Sequence, residues 1–245
     1  GRQHIAVLPA YSSGCYGINS SFEHFYEQIK GFYRIFTASI QNCSPTTQTF
    51  SLMITVSPVA TRKELKEFTK FKIKLYAGNP YAVPPLYADE REALLEGHNP
   101  ALKVYDHQVF LAKRDGKTVG RIVAIINHIS NRKTGKACVR FGFIDFVEDF
   151  EVAKALIETV EQWGRERGME AIHGPLGFTD FDPEGMLIYG FDEVSTIACL
   201  YNHPYYPEFL TRMGFRKDAE WVEYKILIPK EIPDKHQRIA EVVRR

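Results

Sequence analysis

The stretch from Val139 to Gly168, VRFGFIDFVEDFEVAKALIETVEQWGRERG, constrains the fold more than any other part of the chain. Its first part, Val139 to Phe146, is rich in β-branched and aromatic residues and short enough for a buried strand. The second part has helical spacing. Val152, Leu156, Val160 and Trp163 fall on one face, while Glu151, Lys154, Glu158, Glu161 and Arg165 fill the other. Asp149 is placed to cap the helix N-terminus and Gly168 to close its C-terminus. A buried strand therefore feeds a long amphipathic helix through the short turn Val147-Glu148. A junction of this kind offers free backbone N–H groups to an anion, which makes it a candidate phosphate site.

Around that unit the pattern is regular from Met53 onward. MITVSPVATRKELKEF reads as a strand, a turn at Ser57-Pro58 and a helix capped by Thr61 with Glu64. Leu65, Phe68, Ile73 and Leu75 carry this helix toward Gly78. The link NPYAVPP, Asn79 to Pro85, is stiff and extended because each proline bars helix before it. A short helix is expected over Asp89 to Leu95. Two apolar runs, Val109 to Ala112 and Thr118 to Ile129, flank Asp115-Gly116-Lys117, a strong hairpin signal. Ser130 to Lys136 reads as a basic loop holding Arg132, Lys133 and Lys136. Ala171-Ile172-His173 is a short strand, Tyr205 to Met213 a short helix ended by Gly214, and Trp221 to Ile228 an alternating last strand. Another helix begins after Pro233. Strands and helices in this mixed order predict an α+β sandwich with a largely antiparallel central sheet and helices on both faces.

Residues 1–52 differ from the rest. Their charged residues are Arg2, Glu23, Glu27, Lys30 and Arg34, and they show no sustained period beyond a short helical stretch at Ser21 to Phe36. The expectation is that Met53 is the natural start and that 1–52 lies outside the domain. The domain is then 53–229, and 230–245 begins a connector helix.

The chain of 245 residues has a net charge of +1 and no basic stripe, which argues against nucleic-acid binding. Cys15, Cys43, Cys138 and Cys199 show no metal-like spacing and read as reduced thiols of a cytoplasmic protein. No run is long and apolar enough to predict a membrane span.

The element order, with VGRIVAIIN as the second hairpin arm and RMGF closing the short helix, resembles the GNAT acyltransferase superfamily. Within it, KLYAGNPYAVPPL, HNPAL, GKTVGRIVAIIN, FGFIDF, GPLGFTDFDPEGMLIYGF, YNHPYYPEFLTRMGFRKDAEWVEYKI and IPDKHQRIAEVVRR are similar to a bacterial tandem GNAT-like family. These phrases span Met53 to Arg245. The resemblance implies an N-acyltransferase that uses acetyl-CoA or another acyl-CoA on a small-molecule amine, and a second GNAT-like half beyond this one. It places the pantetheine amides along Phe143, Ile144 and Asp145, with Val147 and Asn202 nearby. It also places the pyrophosphate at Phe146 to Glu151, normally wrapped by a glycine-rich motif. Here that span holds no glycine and three carboxylates. The family's general-acid tyrosine falls at Leu210, so Tyr205 and Tyr206 are the candidate catalytic replacements. These departures support an alternative, a non-catalytic half that binds a ligand or braces its partner.

Asp180, Asp182 and Glu184 start a loop similar in spacing to a calcium loop, but Pro183 interrupts it and Phe191 stands where the last ligand should be. They are instead, together with Asn202, candidate ligand contacts on structured loops, with turn capping as the competing role. No metal is expected. His107, His128, His173 and His203 are isolated, and His173 is expected to be a satisfied core or cleft-edge residue.

Overall fold

The computed structural model describes residues 53–179, 181–196, 200–223 and 234–244. Residues 1–52, Asp180 and 224–233 lie outside the described residues, and with them fall the expectations for the N-terminal segment and most of the last strand. Trp221 to Glu223 are described and are not strand.

Five strands form one sheet in chain order: β1 (Ile54–Pro58), β2 (Asp106–Arg114), β3 (Lys117–Ile126), β4 (Cys138–Phe146) and β5 (Ala171–His173). The first four pair antiparallel, and β4 pairs β5 in parallel. This is the mixed, largely antiparallel sheet that the element order predicts. The β2–β3 turn is Asp115-Gly116, both at positive φ (49° and 73°), as a tight hairpin of right-handed twist requires.

One face of the sheet carries α1 (Arg62–Leu75) and α2 (Tyr87–Glu92); the other carries α4 (Phe150–Arg165). The alternation of β3 decides which residue goes where. Val123 and Ile125 pack with Leu65 and Phe68 of α1, while Ile122, Ala124 and Ile126 pack with Val152, Leu156 and Val160 of α4. Thr61 and Glu64 form the expected capping box at α1. Two expectations are corrected. Ser57-Pro58 is not a turn: Pro58 pairs with Phe110, and an edge strand tolerates proline because no ladder donor is needed there. Ser130 to Lys136 is not an open loop but mostly α3 (His128–Thr134), capped by Asn127 and ended by Gly135 at φ 67°. Its polar composition hid a helix whose start and stop residues were both present in the sequence.

The strand β4 is irregular where it matters. Arg121 faces Asp145 and Val123 faces Gly142, so β4 spends one residue more than β3 over this interval. The extra residue sits at Phe143, which has φ 50°. The bulge resets the alternation, placing Phe143 with the α1 side and Ile144 and Phe146 with the α4 side. Pairing with β5 covers only Cys138 to Arg140. Beyond it the segment after β5 crosses close to β4, with Leu176 donating to the Phe141 carbonyl at 2.8 Å. A Cβ on Gly142 would overlap the Leu176 carbonyl oxygen. Gly142→Ala is therefore expected to lower the unfolding free energy by about 1–3 kcal/mol. Urea titration checks this, and a loss within error of zero would contradict the close approach.

Candidate functional site

A cavity of about 910 Å³ opens on the α1 side of the β4 bulge. Its walls come from the end of α1, the stiff link 79–86, α2, the bulge itself and the loops around 181–186 and 200–206. The link and the far loop are tied together: Ser195 N–H donates to the Tyr81 carbonyl at 3.2 Å.

One buried polar network lies against this cavity. Arg121 is fully buried and every branch of its guanidinium is engaged. Its Nε donates to Asp145 Oδ2 at 2.8 Å, its Nη2 lies 2.6 Å from the same oxygen and 2.8 Å from Glu90 Oε1, and its Nη1 donates to the Phe68 carbonyl at 3.1 Å. The guanidinium also sits 4.8 Å from the Phe68 ring centroid. Asp145 takes its second set of partners from two tyrosines. Tyr76 Oη lies 3.1 Å from both Asp145 Oδ1 and Tyr206 Oη, and the Phe146 N–H donates to Tyr206 Oη at 3.0 Å. Burial, followed by the Asp145 charge, pushes both phenols well above their ordinary pKa, so they hold their protons.

The sequence candidates divide accordingly. Phe143, Ile144, Asp145, Asp182, Asn202 and Tyr206 all line the cavity. Asn202 is 4% exposed and clamps Leu187, accepting its N–H at 2.6 Å and donating to its carbonyl at 3.1 Å. Asp182 Oδ2 accepts from the Thr179 N–H at 2.7 Å, the capping role weighed for it above. Tyr205 lies beside the cavity, its hydroxyl donating to the Phe146 carbonyl at 2.8 Å and its ring stacked on His203. Burial raises its pKa, with help from the Glu148 charge. The same burial lowers the His203 imidazole, which also stacks on Tyr76. Val147 is away from the cavity, bonded to the Val119 carbonyl and packed on the α4 side. Glu184 is not among the cavity residues, and Asp180 lies outside the described residues. His173 pairs with Asp218 at 3.0 Å, the satisfied role expected of it. Sequence reasoning missed Tyr76, Glu90 and Arg121. Arg121 had a signal: it is a lone charge inside VGRIVAII, and Asp145 is a lone charge inside FGFIDF.

The strand–helix junction does not fit a pyrophosphate. Asp149 Oδ1 accepts from the N–H groups of Glu151 (2.9 Å) and Val152 (3.4 Å), the donors an anion would need. Its Oδ2 is held by Arg114 at 2.7 Å. Partial burial pushes the Asp149 carboxyl upward, but the Arg114 hydrogen bond and charge and the two N–H bonds outweigh it and leave the pKa lowered. A carboxylate lowered in the fold adds stability above its unfolded pKa and loses it as pH falls through the folded value. Acidification below about pH 4 should therefore destabilise the wild type more than Asp149→Asn. Unfolding free energies measured from pH 7 to pH 2.5 check this; parallel curves would contradict it.

No protein-family profile matches the chain. Two curated bacterial proteins are similar in sequence. Protein YghO of Escherichia coli (strain K12) is 32% identical over 159 residues, which cover 65% of this chain and 40% of that protein. The Bacterial ceramide synthase of Caulobacter vibrioides (strain NA1000 / CB15N) is 31% identical over 186 residues, covering 76% and 48%. The chain thus spans less than half the length of either relative. Among solved structures, a tandem GNAT protein from the clavulanic acid biosynthesis pathway aligns over 66% of this chain and 43% of its own, at 14% identity and a TM-score of 0.43. AAC(6')-Iy, solved with a bisubstrate analog, aligns over 72% of this chain and 99% of its own, at 17% identity and a TM-score of 0.43. Likeness at this level adds nothing to the topology described above. No helix among the described residues is long and apolar enough to cross a membrane.

Proposed function

We propose that this chain carries the amine-binding cavity of a GNAT-like N-acyltransferase that joins an acyl thioester to an amine with an apolar tail. The observation that carries the reading is the cavity at the β4 bulge, apolar along Ile73, Val83 and Leu86 and charged at Glu90 and Asp145. Ceramide is an N-acylated long-chain amino alcohol, so the name of the Caulobacter relative supports amide formation on such an amine. In the reaction the amine nitrogen attacks the thioester carbonyl carbon. A C–N bond forms, the C–S bond breaks, the amine loses a proton and the departing thiolate gains one. The peptide edge at Phe143 to Asp145 would meet the amides of the donor, since β5 leaves that part of β4 after Arg140. Tyr206 supports Asp145 through its hydroxyl, and burial raises the pKa of both Tyr205 and Tyr206.

A second reading, a non-catalytic half that binds a ligand, is supported by Asp149, which takes the helix N–H groups a donor's pyrophosphate would use. The test mixes the full chain with acyl-CoA and a long-chain primary amine and follows free thiol with a chromogenic disulfide. Amine-dependent thiol release supports acyl transfer. Calorimetric binding of the amine without thiol release supports the second reading. Absence of both binding and release overturns the two together.

A further inference from the structure

Glu90 is the residue that the network leaves unfinished. Its side chain is 8% exposed, and one oxygen, Oε1, is fixed by Arg121. The other, Oε2, is buried and has no hydrogen-bond partner. A buried carboxylate oxygen without a donor is costly, and a fold retains one most readily where something else supplies the donor. Arg121 does not: its hydrogen bonds run to Asp145, to Glu90 Oε1 and to the Phe68 carbonyl. The guanidinium neutralises one of its two carboxylates, so the group of three carries an excess negative charge. Among the described residues the cavity as a whole is lined by four carboxylates, Asp89, Glu90, Asp145 and Asp182, against two cations, Lys72 and Arg121. An ammonium group is the ligand such a site lacks: it brings donors for Oε2 and the missing positive charge.

The rest of the cavity describes the remainder of that ligand. Val83, Leu86 and Phe181 line it and remain exposed, Phe181 completely. They offer apolar surface in the same cavity as Ile73. We infer that Glu90, oriented by Arg121, binds the ammonium of an amphiphilic amine whose alkyl chain lies along Ile73, Leu86 and Val83. This assigns the ammonium contact of the site proposed above and rests on the cavity being the amine site.

The experiment measures binding without any acyl donor, so it succeeds or fails independently of acyl transfer. Octylammonium and 1-octanol, matched in chain length and used below their aggregation concentrations, are titrated into the full chain by calorimetry. Wild type should bind octylammonium about tenfold or more tightly than octanol, the scale of one charge-assisted hydrogen bond. Glu90→Gln should remove that preference by weakening octylammonium far more than octanol, and Arg121 remains paired with Asp145 in that variant. Equal binding of the two probes by wild type overturns the inference without recourse to any variant. So does a Glu90→Gln protein that melts cooperatively and keeps the preference. If the preference depends on Glu90 but no thiol is ever released with acyl-CoA, the ammonium site stands and the acyltransferase reading falls.

Discussion

Arg121→Ala is expected to remove about 3–5 kcal/mol of unfolding free energy, enough to leave a domain of ordinary stability barely folded. Arg121 is buried with Asp145 and Glu90, and deleting it strands two carboxylates in an interior that cannot solvate them. It also frees the Phe68 carbonyl and opens a void beside the Phe68 ring. The effect belongs to the stranded charges rather than to any large net worth of the ion pair. That distinction is testable. Arg121→Met combined with Asp145→Asn and Glu90→Gln removes every charge at once and should recover most of the loss. Urea titrations of the two proteins make the comparison. A loss below about 1 kcal/mol for Arg121→Ala, or no recovery in the triple variant, would show that the network is not held as described.

Phe146→Ala should cost a comparable amount, about 3–5 kcal/mol, and should also damage the cavity. Phe146 is fully buried at the end of β4 and stacks on Tyr206 with ring centroids 4.1 Å apart. Tyr205 and Phe209 close around it at 5.8 and 6.2 Å. Its removal takes from α5 (Tyr205–Arg212) the ring shared by Tyr205, Tyr206 and Phe209 and leaves Phe150 as the aromatic against Phe209. Tyr206 lines the cavity, so its ring should shift and octylammonium binding should weaken together with stability. Thermal unfolding and the calorimetric titration read the two effects. Stability lost with ligand binding fully retained would mean that α5 does not position the cavity wall.

The strand–helix unit at Val139 to Gly168 was legible because its two periodicities are local: a short apolar run, then residues four and three apart. The caps at Thr61 and Asp149 and the Asp115-Gly116 turn were equally local, since each places one side chain or one dihedral within four residues. The site was only half legible. Asp145, Phe143, Asn202 and Tyr206 could be pointed to, but their common cavity depends on loops far apart in the chain. Glu90 gave no signal, because a glutamate in the short acidic helix YADERE looks like any solvated helix residue. It is buried only because α2 folds onto the sheet opposite Arg121.

What the sequence determined by itself is the set of elements, their order and the amphipathic faces that force helices onto both sides of a sheet. It also determined the chemistry at the junction, since an aspartate at the cap position takes the N–H groups of its own helix wherever the chain goes. Tertiary structure decided which charges meet. Arg121 and Asp145 stand opposite each other only through the β3–β4 register and the bulge at Phe143. Glu90 completes the group from another layer of the fold. Pairing across 24 and 31 residues is set by packing, because burial of a charge is tolerable only where the folded chain brings its partner within hydrogen-bond distance.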